Sequence, residues 1–133
     1  MSEANRVILR AFYEYMMSKD HKTERHTINL LTLLISLDKF HDGLPFTSIN
    51  RKELILTFLN HQYVDGKWVE RERDAEGRYI TSFNFYLGLF RTFFRWLFNR
   101  DKAEEDWEKP AFLRIKLKKP LRDSPYDKVI SGS

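Results

Sequence analysis

The stretch 80–99, "ITSFNFYLGLFRTFFRWLFN", limits what this chain can fold into more than any other. Phe83, Tyr86, Leu87, Phe90, Phe93, Phe94 and Leu97 recur at spacings of three and four. That period describes a helix with a wide apolar face. Such a face needs several partners, so Phe90, Phe93, Phe94 and Leu97 are expected to hold a bundle together. Two arginines interrupt the run. They belong to a second line, Thr81, Asn84, Gly88, Arg91 and Arg95, spaced 3, 4, 3, 4. The arginines are thus expected on a separate polar face.

Three other segments have helical period. Residues 3–18 repeat Ile8, Leu9, Phe12, Tyr13 and Met16. Residues 24–41, with Thr23 as a cap, are apolar on most sides, which predicts a central helix covered by others. Its exception is a narrow stripe, Asn29, Thr32, Ser36 and Lys39, before "HDGLP" breaks it. Residues 51–62 form the third, with Asn50 and Glu53 resembling a capping box and Leu54, Ile55, Phe58 and Leu59 facing inward. The segment 63–79 carries the turn signal Asp65-Gly66 and reads as a hairpin or loop. Beyond residue 100 a short turn near Trp107 is expected, then an extended linker with three prolines.

A chain of 133 residues without an internal repeat suits one domain with a real core. The absence of cysteine excludes disulfides and cysteine-based zinc sites, and fits a reducing, cytoplasmic setting. No signal peptide or membrane span is read: the longest apolar run, "LLTLLISL", is eight residues. His21, His26, His41 and His61 show no metal-binding spacing, and five scattered glycines make no phosphate loop. No cofactor, metal or catalytic residue is therefore assigned. Charge is informative by position. Residues 1–110 hold 17 Lys/Arg and 17 Asp/Glu, whereas residues 111–133 hold six and two. A basic tail behind a neutral domain suggests a polyanion. The polar stripes could approach DNA closely, and Arg91 and Arg95 could reach phosphates. The helix starts at 23–27 and 80–84 could also donate to phosphates.

"TSFNFYLGLFRTFFRWLFN" followed by "DWEKPAFLRIKLKKPLRDSPYDKV" resembles the end of the core-binding domain of tyrosine recombinases, the phage-integrase family, with its closing run most like archaeal members. Ser82, Arg91, Phe94, Trp96, Leu97 and Pro110 fill places of the family pattern. "VILRAFYEYM", the helix from Thr27 to Phe40, and "FTSINRKELILTFLN" resemble earlier elements. Lys109 stands where the family usually has Asn or Asp, and 63–79 is longer than in many members.

The resemblance implies an all-α, SAM-like bundle of four to five helices, with a loop or small hairpin before the last long helix and an extended basic C-terminal linker. It divides the chain into a DNA-binding domain, 1–110, and a linker, 111–133, toward a catalytic domain that this chain does not include. The chain itself is then not an enzyme, and none of its tyrosines is the nucleophile. Partners implied are double-stranded DNA, the catalytic domain of the same parent, and further copies assembled on DNA. The second and fourth helices would face the duplex. Expected contacts are Lys22, Arg25, Thr27, Asn29, Thr81, Ser82, Asn84, Arg91, Arg95, Lys116, Lys118 and Lys119, with Arg91 favoured over Arg95 because it fills a family place. The rival reading is a helical protein-interaction module. A helix-turn-helix regulator is disfavoured, because no compact helix pair is joined by a tight turn.

Overall fold

The computed structural model describes residues 1–19, 23–71 and 78–117, the first four of the last stretch as backbone only. It is predominantly helical. Helix α1 spans Glu3–Met17, α2 Glu24–Phe40 and α3 Lys52–Leu59; an antiparallel hairpin of β1 (His61–Val64) and β2 (Lys67–Glu70) follows, then α4, Arg78–Asn99. Single 3-10 turns occur at Phe46–Ser48, Glu104–Asp106 and Ala111–Leu113.

Local chemistry sets most boundaries. The Ser2 hydroxyl accepts from the Asn5 amide at 3.2 Å, and Thr23 accepts from His26 at 3.1 Å, so both first helices have side-chain caps. Helix α2 ends where Asp42 (φ 53°) and Gly43 (φ 82°) turn left-handed and the Gly43 amide bonds Asp38 O. Asp65 (φ 50°) and Gly66 (φ 83°) form the two-residue hairpin turn, which matches the twist of the paired strands.

Helix α3 departs from expectation at both ends. Its cap is Arg51, which makes no side-chain capping bond, so Asn50 and Glu53 form no capping box. It stops at Leu59 because the backbone from His61 pairs with β2, His61 opposite Glu70 and Tyr63 opposite Trp68. Helix α2 is also less enclosed than its composition suggests. Leu30, Leu34 and Leu37 are fully buried, but Ile28 and Ile35 are each 49% exposed. They lie seven residues apart on the side that the other elements leave open.

The core gathers on α4. Phe93 meets Phe12 of α1 edge-on at 5.0 Å and Phe46 at 5.3 Å; Phe90 meets Phe58 of α3 at 5.7 Å; Phe94 meets Phe112 at 5.4 Å. Trp68 carries the hairpin onto the core, stacking on Phe40 at 4.9 Å. The core also continues past residue 110. Leu113 and Ile115 are buried in it, so the expected linker is packed over its first residues.

One buried polar hub ties α1 to α2 and to the loop after it. Asn5 is fully buried. Its Nδ2 donates to Asp38 Oδ2 at 2.8 Å and to Leu44 O at 3.0 Å, while its Oδ1 accepts from the Phe46 amide at 2.8 Å. Among the described residues no buried side-chain nitrogen or oxygen lacks a partner. Truncation at Asn5 breaks that state, because it strands a buried carboxylate and a buried amide. Asn5→Ala should therefore cost about 3 kcal/mol, lowering the melting temperature by roughly 10 °C. Val7→Ala, at an exposed position of the same helix, should change it little; calorimetry of both variants checks this.

Candidate nucleic-acid interface

The stripe on α2 lies outward as the sequence implies. Arg25, Asn29, Thr32 and Lys39 are exposed and Ser36 is half-buried. Thr27 is not on this surface: it is fully buried, and its hydroxyl donates back to Thr23 O at 3.1 Å. At spacing two from Asn29, Thr27 falls on the opposite side of the helix. The start of α2 is a poor anion site as well. Thr23 already takes the His26 amide, and Glu24 places a carboxylate in the first turn. The start expected at 80–84 shifts, since α4 begins at Arg78 and its amides are paired internally from about its fifth residue. Lys22, Lys118 and Lys119 lie outside the described residues, as does the Thr81 side chain.

On α4, Ser82 and Asn84 are half-buried and Gly88 is exposed. The two arginines have different roles. Arg91 is half-buried and turned along the C-terminal segment, where its Nε donates to Leu113 O at 3.2 Å and its Nη2 to Ile115 O at 2.6 Å. A guanidinium fork on two carbonyls two residues apart is a clamp. Arg95 is exposed; its Nη2 reaches Trp107 O only at 3.5 Å and its guanidinium carbon lies 5.7 Å from the Trp107 ring centre. Arg95 is thus less committed to internal partners than Arg91, the reverse of the order suggested by the family pattern.

A second fastening brings the chain to this clamp. Asn99 is buried and donates to Arg95 O at 2.7 Å and Glu108 O at 2.8 Å, and the Trp107 indole donates to Lys102 O at 3.0 Å. Residues 100–110 therefore fold back over the end of α4. The segment "LRIKL" then alternates: Leu113 and Ile115 are buried, Arg114 and Lys116 exposed. That period-two pattern is a sequence signal for a docked extended strand, and it places cations outward.

Two concavities flank α4 and share no residue. One, about 340 Å³, has Arg91, Arg95 and Lys109 on its walls together with Lys19 and Glu104. Lys19 Nζ lies 2.6 Å from Glu104 Oε2, and the Tyr15 hydroxyl donates to Glu104 Oε1 at 3.3 Å. The hydrogen bond from Lys19 holds the Glu104 carboxyl below its ordinary value, and the same bond holds Lys19 above its own. Burial and then the Glu104 charge push Tyr15 up. The other concavity, about 530 Å³, lies between the α2 stripe, the hairpin and the amino-terminal half of α4.

Nothing in either concavity suggests metal chemistry. Among the described residues no group of three or more His, Asp or Glu could hold an ion. The His41 and His61 rings are engaged by Leu54 O and Thr57 O, each at 2.7 Å. No helix among the described residues is long and apolar enough to cross a membrane. No family model, curated protein or solved structure matches the chain.

Charge-assisted hydrogen bonds of this kind are each worth about 1.5–3 kcal/mol. Removing the Arg91 clamp should release the segment around Leu113 and Ile115 locally, without unfolding the helices. Trypsin should cut Arg91→Ala after Arg114 or Lys116 about tenfold faster than the parent chain, with Arg91→Lys between them. The acidic titration should also show the Lys19–Glu104 contact. Because its pKa is lowered, Glu104 supports folding above the ordinary carboxylate range, and that contribution fades as pH falls through its own midpoint. Its side-chain carboxyl resonance should titrate below the ordinary carboxylate range, and Lys19→Met should move the midpoint upward.

Proposed function

We propose that this chain binds duplex DNA as a SAM-like core-binding domain of the tyrosine-recombinase kind, gripping the site on which a separate catalytic domain acts. The observation that carries the reading is the open face of α2. From Arg25 through Asn29, Thr32 and Ser36 to Lys39 it offers two cations and small polar groups; Asp38 is turned into the buried hub, and the exposed Glu24 stands in the first turn beside Arg25. A face of that kind can lie close to a phosphate backbone, with the cations positioning it and Asn29 available to a base edge. Arg95, Arg114 and Lys116 supply further exposed positive charge.

The rival, a protein-interaction module, is favoured by one observation: Ile28 and Ile35 are half-exposed beside the same stripe. Salt separates the two. Each phosphate contact contributes about 0.9 to the slope of log K against log salt for duplex DNA. Binding of a 20-base-pair duplex should be strongest at low salt and fall steeply as salt rises. Arg25→Ala/Lys39→Ala should flatten the slope by about 2, and alanine at Lys116, Lys118 and Lys119 by up to about 3. Arg91→Ala does not serve as a phosphate test, because it also frees the tail. No binding at low salt, or the same slope for every variant, would sink the DNA reading in favour of the rival.

A further inference from the structure

We infer that the groove between α2, the hairpin and α4 holds one unpaired nucleobase of the bound DNA. The inference rests on the DNA-binding reading and gives this groove a role that phosphate contacts leave unexplained. Two of its walls are aromatic. Tyr63 and Trp68 pair across the hairpin with ring centres 5.2 Å apart, and Phe85 and Tyr86 stand on α4 with centres 6.0 Å apart. Phe85 is 58% exposed and Tyr63 46%. Single exposed apolar residues are ordinary, but four aromatics around one groove mark a binding surface. The floor is apolar, formed by Leu33, Phe58 and Leu89.

The third wall is different, and it selects the occupant. Asn29, Thr32 and Ser36 of α2 line it with hydrogen-bonding groups. Flat aromatic walls suit the faces of a planar ring, and a polar wall suits its edge, which is how bases outside a stack are held. The Thr32 hydroxyl already donates to Ile28 O at 2.9 Å, so Asn29 and Ser36 are the groups that the base edge would meet, and an apolar side chain of a protein would offer them no partner. Charge agrees with DNA: no carboxylate is among the described lining residues, Arg71 is among them with its Nε donating to His61 O at 3.1 Å, and Lys39 sits at the rim with its ammonium 3.8 Å from the centre of the Tyr63 ring. The base would enter from a strand whose phosphates lie on the α2 face. Exchange of strands between duplexes passes through unpaired bases, so the proposed function supplies such a base.

Three probes of equal length test this: a fully paired duplex, the same duplex with one unpaired thymidine at its centre, and that duplex with an abasic residue in place of the thymidine. The last two carry the same phosphates, so their difference reports the base alone. The unpaired thymidine should bind about tenfold tighter than the abasic duplex, as expected for one base stacked on aromatic side chains. Phe85→Ala and Tyr63→Ala, both at exposed positions, should each remove most of that preference; Phe85→Ala should bind the paired duplex as the parent does, whereas Tyr63→Ala also frees the Lys39 ammonium and is compared only between the thymidine and abasic probes. Equal affinity for thymidine and abasic duplexes, or a preference that survives both substitutions, overturns the base assignment and leaves the groove to a protein side chain. If those probes bind alike but retain salt-dependent duplex binding, only this inference falls. Absence of binding to all three removes the DNA-binding reading as well.

Discussion

The row of rings on α4 is the constraint from which the other placements follow. Phe90, Phe93 and Phe94 are fully buried, and each meets a different part of the chain: Phe58 of α3 on Phe90, Phe12 of α1 and Phe46 of the connecting loop on Phe93, Phe112 of the C-terminal segment on Phe94. Burying one such side chain is worth about 1.5–3 kcal/mol, and edge-to-face contact adds to that. A helix whose one broad face is anchored to three parts of the chain in this way cannot rotate without losing all of them. Its opposite face is therefore fixed outward, and Gly88 and Arg95 lie there. The polar line on α4 is a consequence of the core.

The hub at Asn5 does for α2 what the rings do for α4. Apolar packing alone would let α2 slide or turn against α1, because leucines are nearly interchangeable along a helix face. Asn5 removes that freedom, since its amide has one arrangement that serves Asp38, Leu44 O and the Phe46 amide together. Misplacing α2 would leave polar groups buried without partners, which costs more than the lost contacts. The register so fixed turns Asn29, Thr32 and Ser36 toward the groove, and Asp38 away from the open face.

Much of the fold could be read from spacing. The extents of α1, α2 and α4, the Thr23 cap and the turn at Asp65-Gly66 follow from period and from the chemistry of single residues. Pairing overrode period in α3, where strand hydrogen bonds claimed His61 and Gln62 from an expected helix. Composition misled at Ile28 and Ile35, because an apolar helix shows which faces could be buried and not how many neighbours exist to bury them. Thr27 was misread for a simpler reason: a polar side chain can satisfy itself on its own helix and go inside. For Arg91, spacing gave the correct face, but no local pattern says whether an arginine there bonds a phosphate or the chain's own carbonyls. The alternation in "LRIKL" was legible, and it would have shown that the tail begins packed on the core.

That packed segment changes how the positive charge is understood. A free basic tail must lose conformational entropy when it settles on DNA, about 1–2 kcal/mol for each backbone residue fixed. Here Leu113 and Ile115 are already buried, and Arg91 holds the carbonyl of each. Ordering up to Ile115 has been achieved in folding, so Arg114 and Lys116 are presented from a fixed base. Preorganisation of this kind raises affinity without adding a contact. In the proposed reading Arg91 can therefore matter to DNA binding while touching no phosphate, through the direction it gives to the residues after it. An arginine at a family motif place is then explained by the geometry of the chain's exit, and the phosphate contact on α4 passes to Arg95.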